Sequence, residues 1–215
     1  MSARAGVRGG AAGEPSARRL WLVRHGPTGA KGMCGWTDLP ADLSDVAALN
    51  RLSMALPLAP VVSSDLRRAV ATADAVADGR PRLPHEPGLR EMSFGEWEMR
   101  THAECERADP VLARLMWDEP GVHAPPGGEG WDAFAARVGA TVERLLARGW
   151  GPEGGGERGG GDLIVVCHFG VILSLVQRAR GIGAVEAFAQ AVSPLSLTVV
   201  RWEPDRAVEL VDHHP

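Results

Sequence analysis

Two strand-length apolar runs end alike in this chain. Leu20-Trp21-Leu22-Val23 gives onto Arg24-His25-Gly26, and Leu163-Ile164-Val165-Val166 gives onto Cys167-His168-Phe169-Gly170. In an open α/β sheet the carboxyl ends of neighbouring strands meet in a crevice where ligands bind, so residues far apart in sequence converge there. The expectation is one pocket shared by Arg24, His25 and His168.

The segments between these runs alternate in type. A long loop, Pro27 to Asp42, leaves the first strand. A helix is predicted from about Ser44 to Leu56, with Ser44 as N-cap before Val46, Leu49 and Leu52, and Pro57 as its stop. Ala59 to Ser64 reads as a strand and Leu66 to Ala77 as a helix capped by Ser64 or Asp65, which puts Arg67 and Arg68 beside that strand's end. Leu89 to Glu98 is acidic and Gly-broken, an irregular segment near the site. Helices near Thr101 to Trp117 and from Glu129 or Gly130 to Arg148 flank the Pro/Gly loop His123 to Gly128. Val171 to Arg180 reads as a helix, and Leu195 to Trp202 and Val208 to Val211 as strands joined by Glu203 to Arg206. Strands alternating with helices predict a three-layer α/β/α sandwich with a mostly parallel central sheet, the last hairpin supplying an antiparallel edge strand.

With 215 residues, 45% of them hydrophobic, the chain can bury one substantial core. Residues 1–18 carry almost nothing bulky and read as a disordered leader to a domain at 19–215. The apolar run after Arg18-Arg19 stops at Arg24, far short of a secretory core, and Leu163 to Val176 is too short for a bilayer. A cytoplasmic protein with no membrane partner is expected. A net charge of -4 without a dense Lys/Arg block lacks the footprint of a nucleic-acid binder. Cys34, Cys105 and Cys167 form an odd set with no CxxC pair, which argues against both a disulfide framework and a zinc site, and no metal is expected. The Gly-rich run Gly149 to Gly161 is followed by a strand, not by Lys-Ser/Thr and a helix, so it reads as a surface linker and not as a phosphate loop.

Two histidines, two or three arginines and one acid at a crevice are what a phosphate monoester needs if it is cleaved without metal. A neutral imidazole can take the phosphoryl group as a covalent intermediate. Fixed cations then stabilise the charge spread over the equatorial oxygens, and the forks of Arg24 and Arg68 match that geometry. The leaving alkoxide needs a proton from an acid of raised pKa, for which Glu91 is the candidate. Glu91 could instead be a solvated partner of Arg90, and Arg68 could ride a helix surface beside Arg67. Glu129 reads as a helix N-terminal acid. Cys34 and Cys167 read as small apolar residues, with Cys167 open to oxidation beside His168. His213-His214 reads as a frayed tail, His85, His102 and His123 show no ligand spacing, and the tryptophans read as core or pocket walls.

Four motifs in order, Arg24-His25-Gly26-x-Thr28, Ser63-Ser64-Asp65-Leu66-Arg67-Arg68-Ala69, Leu89-Arg90-Glu91 with Phe94-Gly95-Glu96-Trp97, and Cys167-His168-Phe169-Gly170, resemble the histidine phosphatase superfamily and its phosphoglycerate mutase-like fold. The resemblance implies that His25 is the phosphorylated nucleophile, that Arg24, Arg68 and His168 hold the phosphoryl group, and that Glu91 is the proton donor. It favours Arg68 over Arg67, and it assigns phosphate or substrate contacts to Thr28, Lys31, Gly35, Phe169 and Gly170. Lys31 stands where many relatives have Asn and would put a point charge on phosphate. Phe169 stands where many have Gly and would narrow the site. Met33 to Pro40 and Pro125 to Glu129 resemble the alpha-ribazole phosphatase branch. The implied activity is hydrolysis of a small-molecule phosphate monoester, with alpha-ribazole 5'-phosphate as a candidate substrate, no cofactor, and a homodimer as one possible assembly. Phosphoglycerate mutase-type transfer, against which the short span Arg100 to Glu129 counts, and a non-catalytic phospho-ligand binder are the alternatives.

Overall fold

A computed structural model describes residues 18–148, 161–202 and 209–214 of the chain. Residues 1–17 of the expected leader and most of the Gly-rich linker therefore lie outside the described residues, while Arg18, the last residue of that leader, already belongs to the first strand. Among those described, five strands form one sheet in the order β2-β3-β1-β4-β5: β1 Arg18–Arg24, β2 Val61–Ser63, β3 Asp162–Cys167, β4 Leu197–Trp202 and β5 Glu209–His214. β1, β2 and β3 run parallel. β4 pairs antiparallel with both β1 and β5, so the last hairpin brings the antiparallel pairings to one side of the sheet, with β4 the reversed strand and β5 at the edge.

Alternate side chains of each central strand enter two separate cores. Val23, Val61, Ile164 and Val166 pack with α1 (Val46–Ala55) and α2 (Arg67–Ala77). Leu20, Leu22, Val62, Leu163, Val165 and Cys167 pack with α5 (Trp131–Arg148) and α6 (Phe169–Arg180). A strand covered on both faces has no position for a polar side chain, which is why β1 and β3 read as unbroken apolar runs. The polar residues Arg24, His25 and His168 begin where the covering ends. The three layers match the expected sandwich.

Several local boundaries differ from the sequence reading, each for a physical reason. The N-cap of α1 is Asp45, whose Oδ1 accepts from the Ala48 amide at 2.9 Å, while Ser44 donates its own amide to Asp42. α2 has no side-chain cap: Asp65 is engaged by Arg90, and the Ser64 hydroxyl lies 2.7 Å from His168. The span 101–117 is two helices, α3 (His102–Ala108) and α4 (Pro110–Asp118). Pro110 lacks an amide proton and its ring would clash with the preceding turn, so Asp109 ends α3 and caps α4. α6 begins at Phe169, two residues before the predicted start. Leu195 has φ 62°, which keeps it out of the strand that starts at Leu197. The backbone of His213-His214 is paired with Thr198 and Leu197 and is not a frayed tail. The short helix α7 (Ala184–Phe188) was not predicted.

Phe134 on α5 is fully buried in the core beneath the pocket. Phe134→Ala leaves a cavity that rigid neighbours cannot fill, and about 3–5 kcal/mol of unfolding free energy should be lost in urea titration.

Candidate active site

The β1/β3 register sets Arg24 opposite Cys167, and the His25 amide donates to the Cys167 carbonyl at 3.0 Å. The two histidines that follow these strands are therefore neighbours, with ring centroids 5.0 Å apart. β2 adds its own end to the cluster: the Ser64 amide donates to the Val166 carbonyl, and the Ser64 Oγ meets His168 Nε2 at 2.7 Å. That hydroxyl orients the second imidazole.

His25 is 7% exposed, and its Nδ1 lies 2.6 Å from the Gly26 carbonyl oxygen. A carbonyl only accepts, so Nδ1 carries the proton and Nε2 keeps its lone pair. Burial, with the charges of Arg68 and Arg24, lowers the His25 pKa to about 3. The ring is thus neutral at physiological pH with its lone-pair nitrogen turned to Arg68, whose Nε lies 3.3 Å away. Burial likewise lowers the His168 pKa well below the ordinary value, helped by the adjacent His25 and the arginines.

Arg68 is 0% exposed and held from three sides. Its terminal nitrogens donate to the carbonyls of Thr37 at 2.8 Å and Gly35 at 2.6 Å, with a longer contact to Cys34. Arg24 donates to the Val192 carbonyl and lies over the Phe169 ring, 5.3 Å from its centroid. Neither arginine forms a salt bridge with a carboxylate among the described residues, and Arg24 Nε and His168 Nδ1 are buried without a hydrogen-bond partner there. Buried Arg68 and half-buried Arg24, two cations without ion-pair partners among the described residues, make a cup that favours an anion.

Glu91 lines the same pocket, close enough for the charges of Arg68 and Arg24 to act on it. Its two oxygens accept from the amides of Gly170 at 3.1 Å and Met92 at 2.9 Å. Burial nonetheless raises its pKa, outweighing those bonds and the arginine charges. The Arg90 partnership weighed from sequence does not form, because Arg90 pairs with Asp65.

The pocket at this strand-end crevice is about 550 Å³ and is lined by Arg24, His25, Thr28, Arg68, Glu91, Phe169 and Gly170 among others. His168 is fully buried behind His25. Like His168, two further expected contacts are not in the lining. Lys31 is exposed. Gly35 instead approaches the backbone so closely that a Cβ would lie 2.1 Å from the Met92 carbonyl oxygen, and it serves by offering its own carbonyl to Arg68. Arg67 uses its amide on Asp38, and Glu129 is paired with Arg137 away from the pocket. Cys167 is fully buried and burial raises its thiol pKa, so the expected sensitivity to oxidation finds no thiolate to act on.

Sequence reasoning missed Glu98 and Ser64. The Glu98 carboxylate gathers the amides of Gly35, Trp36, Thr37 and Phe94 and the Thr37 hydroxyl, fixing the loop whose carbonyls hold Arg68. Burial pushes its pKa up, but the bonds from Thr37, Phe94 and Trp36 prevail and hold it below the usual range. A lone acid in an irregular segment carries no spacing signal for such a role. His102, Trp117, Trp131 and Phe188 also line the pocket, and only the tryptophans were expected as possible walls. Among the described residues no group of three His, Cys, Asp or Glu could hold a metal, the cysteines are free, and no helix is long and apolar enough to cross a membrane.

The chain matches the histidine phosphatase superfamily (branch 1) across residues 20–212. It is 38% identical over 168 residues to a glucosyl-3-phosphoglycerate phosphatase of Mycobacterium tuberculosis, covering 74% of each chain. It is 35% identical over 167 residues to an adenosylcobalamin/alpha-ribazole phosphatase of Salmonella typhimurium, covering 74% of this chain and 78% of that one. Among solved structures, a mycobacterial glucosyl-3-phosphoglycerate phosphatase superposes with a TM-score of 0.73 at 30% identity, over 91% of this chain and 97% of that one. An Escherichia coli protein described as an alpha-ribazole-5'-P phosphatase gives 0.76 at 27% identity, over 93% and 97%.

The two buried histidines couple stability to pH. Between about pH 3 and 6.5 the unfolded chain takes up a proton at His25 that the folded chain refuses, so stability falls as pH drops through that window. Glu91, raised in the fold, works in the opposite direction above the usual carboxylate pKa. The excess stability of wild type over His25→Ala should therefore shrink by about 1.4 kcal/mol per pH unit below 6.5, measured by urea unfolding.

Proposed function

This chain belongs to the histidine phosphatase superfamily, and on that premise we propose that it is a metal-independent phosphomonoesterase working through a phosphohistidine on His25. The observation that carries the proposal is a neutral imidazole whose Nε2 lone pair faces an arginine with no carboxylate partner among the described residues, in one pocket with a buried acid of raised pKa.

In the first half-reaction His25 Nε2 attacks phosphorus and the bond from phosphorus to the alcohol oxygen breaks. Arg68, Arg24 and His168 Nδ1 stabilise the charge on the phosphoryl oxygens, and Glu91 gives its proton to the leaving alkoxide. In the second half, water attacks the phosphohistidine, Glu91 takes the water's proton, and inorganic phosphate leaves neutral His25 behind. The Gly26 carbonyl holds the Nδ1 proton throughout and stabilises the positive charge that the ring acquires when phosphorylated. Thr28, Phe169 and Gly170 contact the substrate. The relatives' names supply two candidate substrates, a glucosyl-3-phosphoglycerate and alpha-ribazole 5'-phosphate. The proposal includes a cytoplasmic setting, which the free cysteines support.

Hydrolysis of p-nitrophenyl phosphate in EDTA should proceed, releasing inorganic phosphate, and should vanish in His25→Ala. Turnover that needs metal or survives that substitution defeats the mechanism. Glu91→Gln should lower kcat by about 10²–10⁴-fold for an alkyl phosphate and far less for p-nitrophenyl phosphate, whose leaving group needs little help. The same substitution should abolish the fall in kcat/KM at alkaline pH, since that limb reports loss of the Glu91 proton.

A further inference from the structure

The cavity is much larger than a phosphoryl group, and its charge is confined to one end. Arg24, Arg68 and Glu91 are the lining side chains that carry charge in ordinary form, and all three belong to the phosphoryl chemistry. The bulk of the remaining wall is rings, Phe94, His102, Trp117, Trp131, Phe169 and Phe188, completed by Met33, Met92 and smaller residues. His102 and Trp117 stack with centroids 4.3 Å apart and planes at 26°, bringing α3 and α4 together at the chamber. Phe188 on the unpredicted helix α7 meets Trp131 edge-on at 4.6 Å. Resting on the phosphatase reading above, we propose that the chamber selects phosphate monoesters whose alcohol bears an uncharged aromatic ring, with the His102–Trp117 stack as the specificity-determining wall.

The alternatives for the alcohol are an acid and a polyol. A carboxylate on the leaving group would need a cation, yet both lining arginines are engaged at the phosphoryl end and Lys31 lies outside the lining. Entering this chamber, such a carboxylate would lose its hydration and gain Glu91 as a neighbour. A polyol would need several hydrogen-bonding partners. Trp131 commits its indole N–H to Gln177 at 2.7 Å, which leaves Thr28, Cys34, His102 and the Trp117 indole to serve the whole ring-lined region. A flat apolar ring needs none of these partners and gains from edge and face contacts with six aromatic neighbours.

Phosphonates, which cannot be hydrolysed, separate this proposal from the catalytic one. In isothermal titration at pH 7, benzylphosphonate should bind ten- to a hundredfold more tightly than methylphosphonate, and 3-phosphonopropionate no more tightly than methylphosphonate. His102→Ala and Trp117→Ala should each bring the benzyl-to-methyl ratio toward one. Should either variant fail to fold, the wild-type ratio decides alone: a ratio near one, or tightest binding of the acidic analogue, overturns the chamber. Turnover of benzyl and ethyl phosphate, alcohols that both leave as poor alkoxides, completes the distinction. Selective benzylphosphonate binding with turnover unchanged in His25→Ala upholds the chamber and overturns the phosphohistidine. His25-dependent turnover without aromatic preference does the reverse.

Discussion

Everything in the site depends on the parallel pairing of β1 with β3. One hydrogen bond beyond the last paired residues, from the His25 amide to the Cys167 carbonyl, brings two histidines from opposite ends of the sequence to ring contact. Parallel register is demanding here, because a slip of one residue would turn every apolar side chain of these strands to the other face. The two cores on either side of the sheet thus specify the distance between the two histidines as a by-product of excluding water.

The same burial sets the electrostatics. Arg68 sits fully buried with backbone carbonyls in place of a carboxylate, so it keeps its field available to a ligand. A nearby acid would have neutralised that field; carbonyl dipoles satisfy the hydrogen bonds without doing so. Those carbonyls are held in turn by Glu98, which anchors the 35–37 loop through its amides. Glu91 and His25 are shifted in opposite senses by one dry environment, the acid's proton held more tightly and the base kept neutral, the two directions that suit the proposed phosphoryl transfer to an imidazole.

The sheet, its helical layers and the convergence of Arg24, His25 and His168 were legible because each of these residues ends or follows a strand that the chain announces locally, whereas the choice of Arg68 over Arg67 came from the motif's resemblance. Boundaries were less so. Ser44 and Asp45 are equally good caps in isolation, and the choice between them fell to the bond between Ser44 and Asp42. The Pro110 break was visible as a proline, yet only the structure shows Asp109 ending one helix and capping the next. Lys31 was expected on phosphate because of its place in a motif, but its backbone position directs it to solvent.

By itself the sequence determined that buried strands would end in cationic and imidazole side chains, because apolar runs and their polar stops are local properties of the chain. Only the tertiary structure decided which nitrogen of His25 is free, how Arg68 is satisfied without an acid, and that His102, Trp117 and Phe188 face one cavity. Those outcomes depend on contacts between segments with no common spacing, and such contacts exist only once the chain has folded.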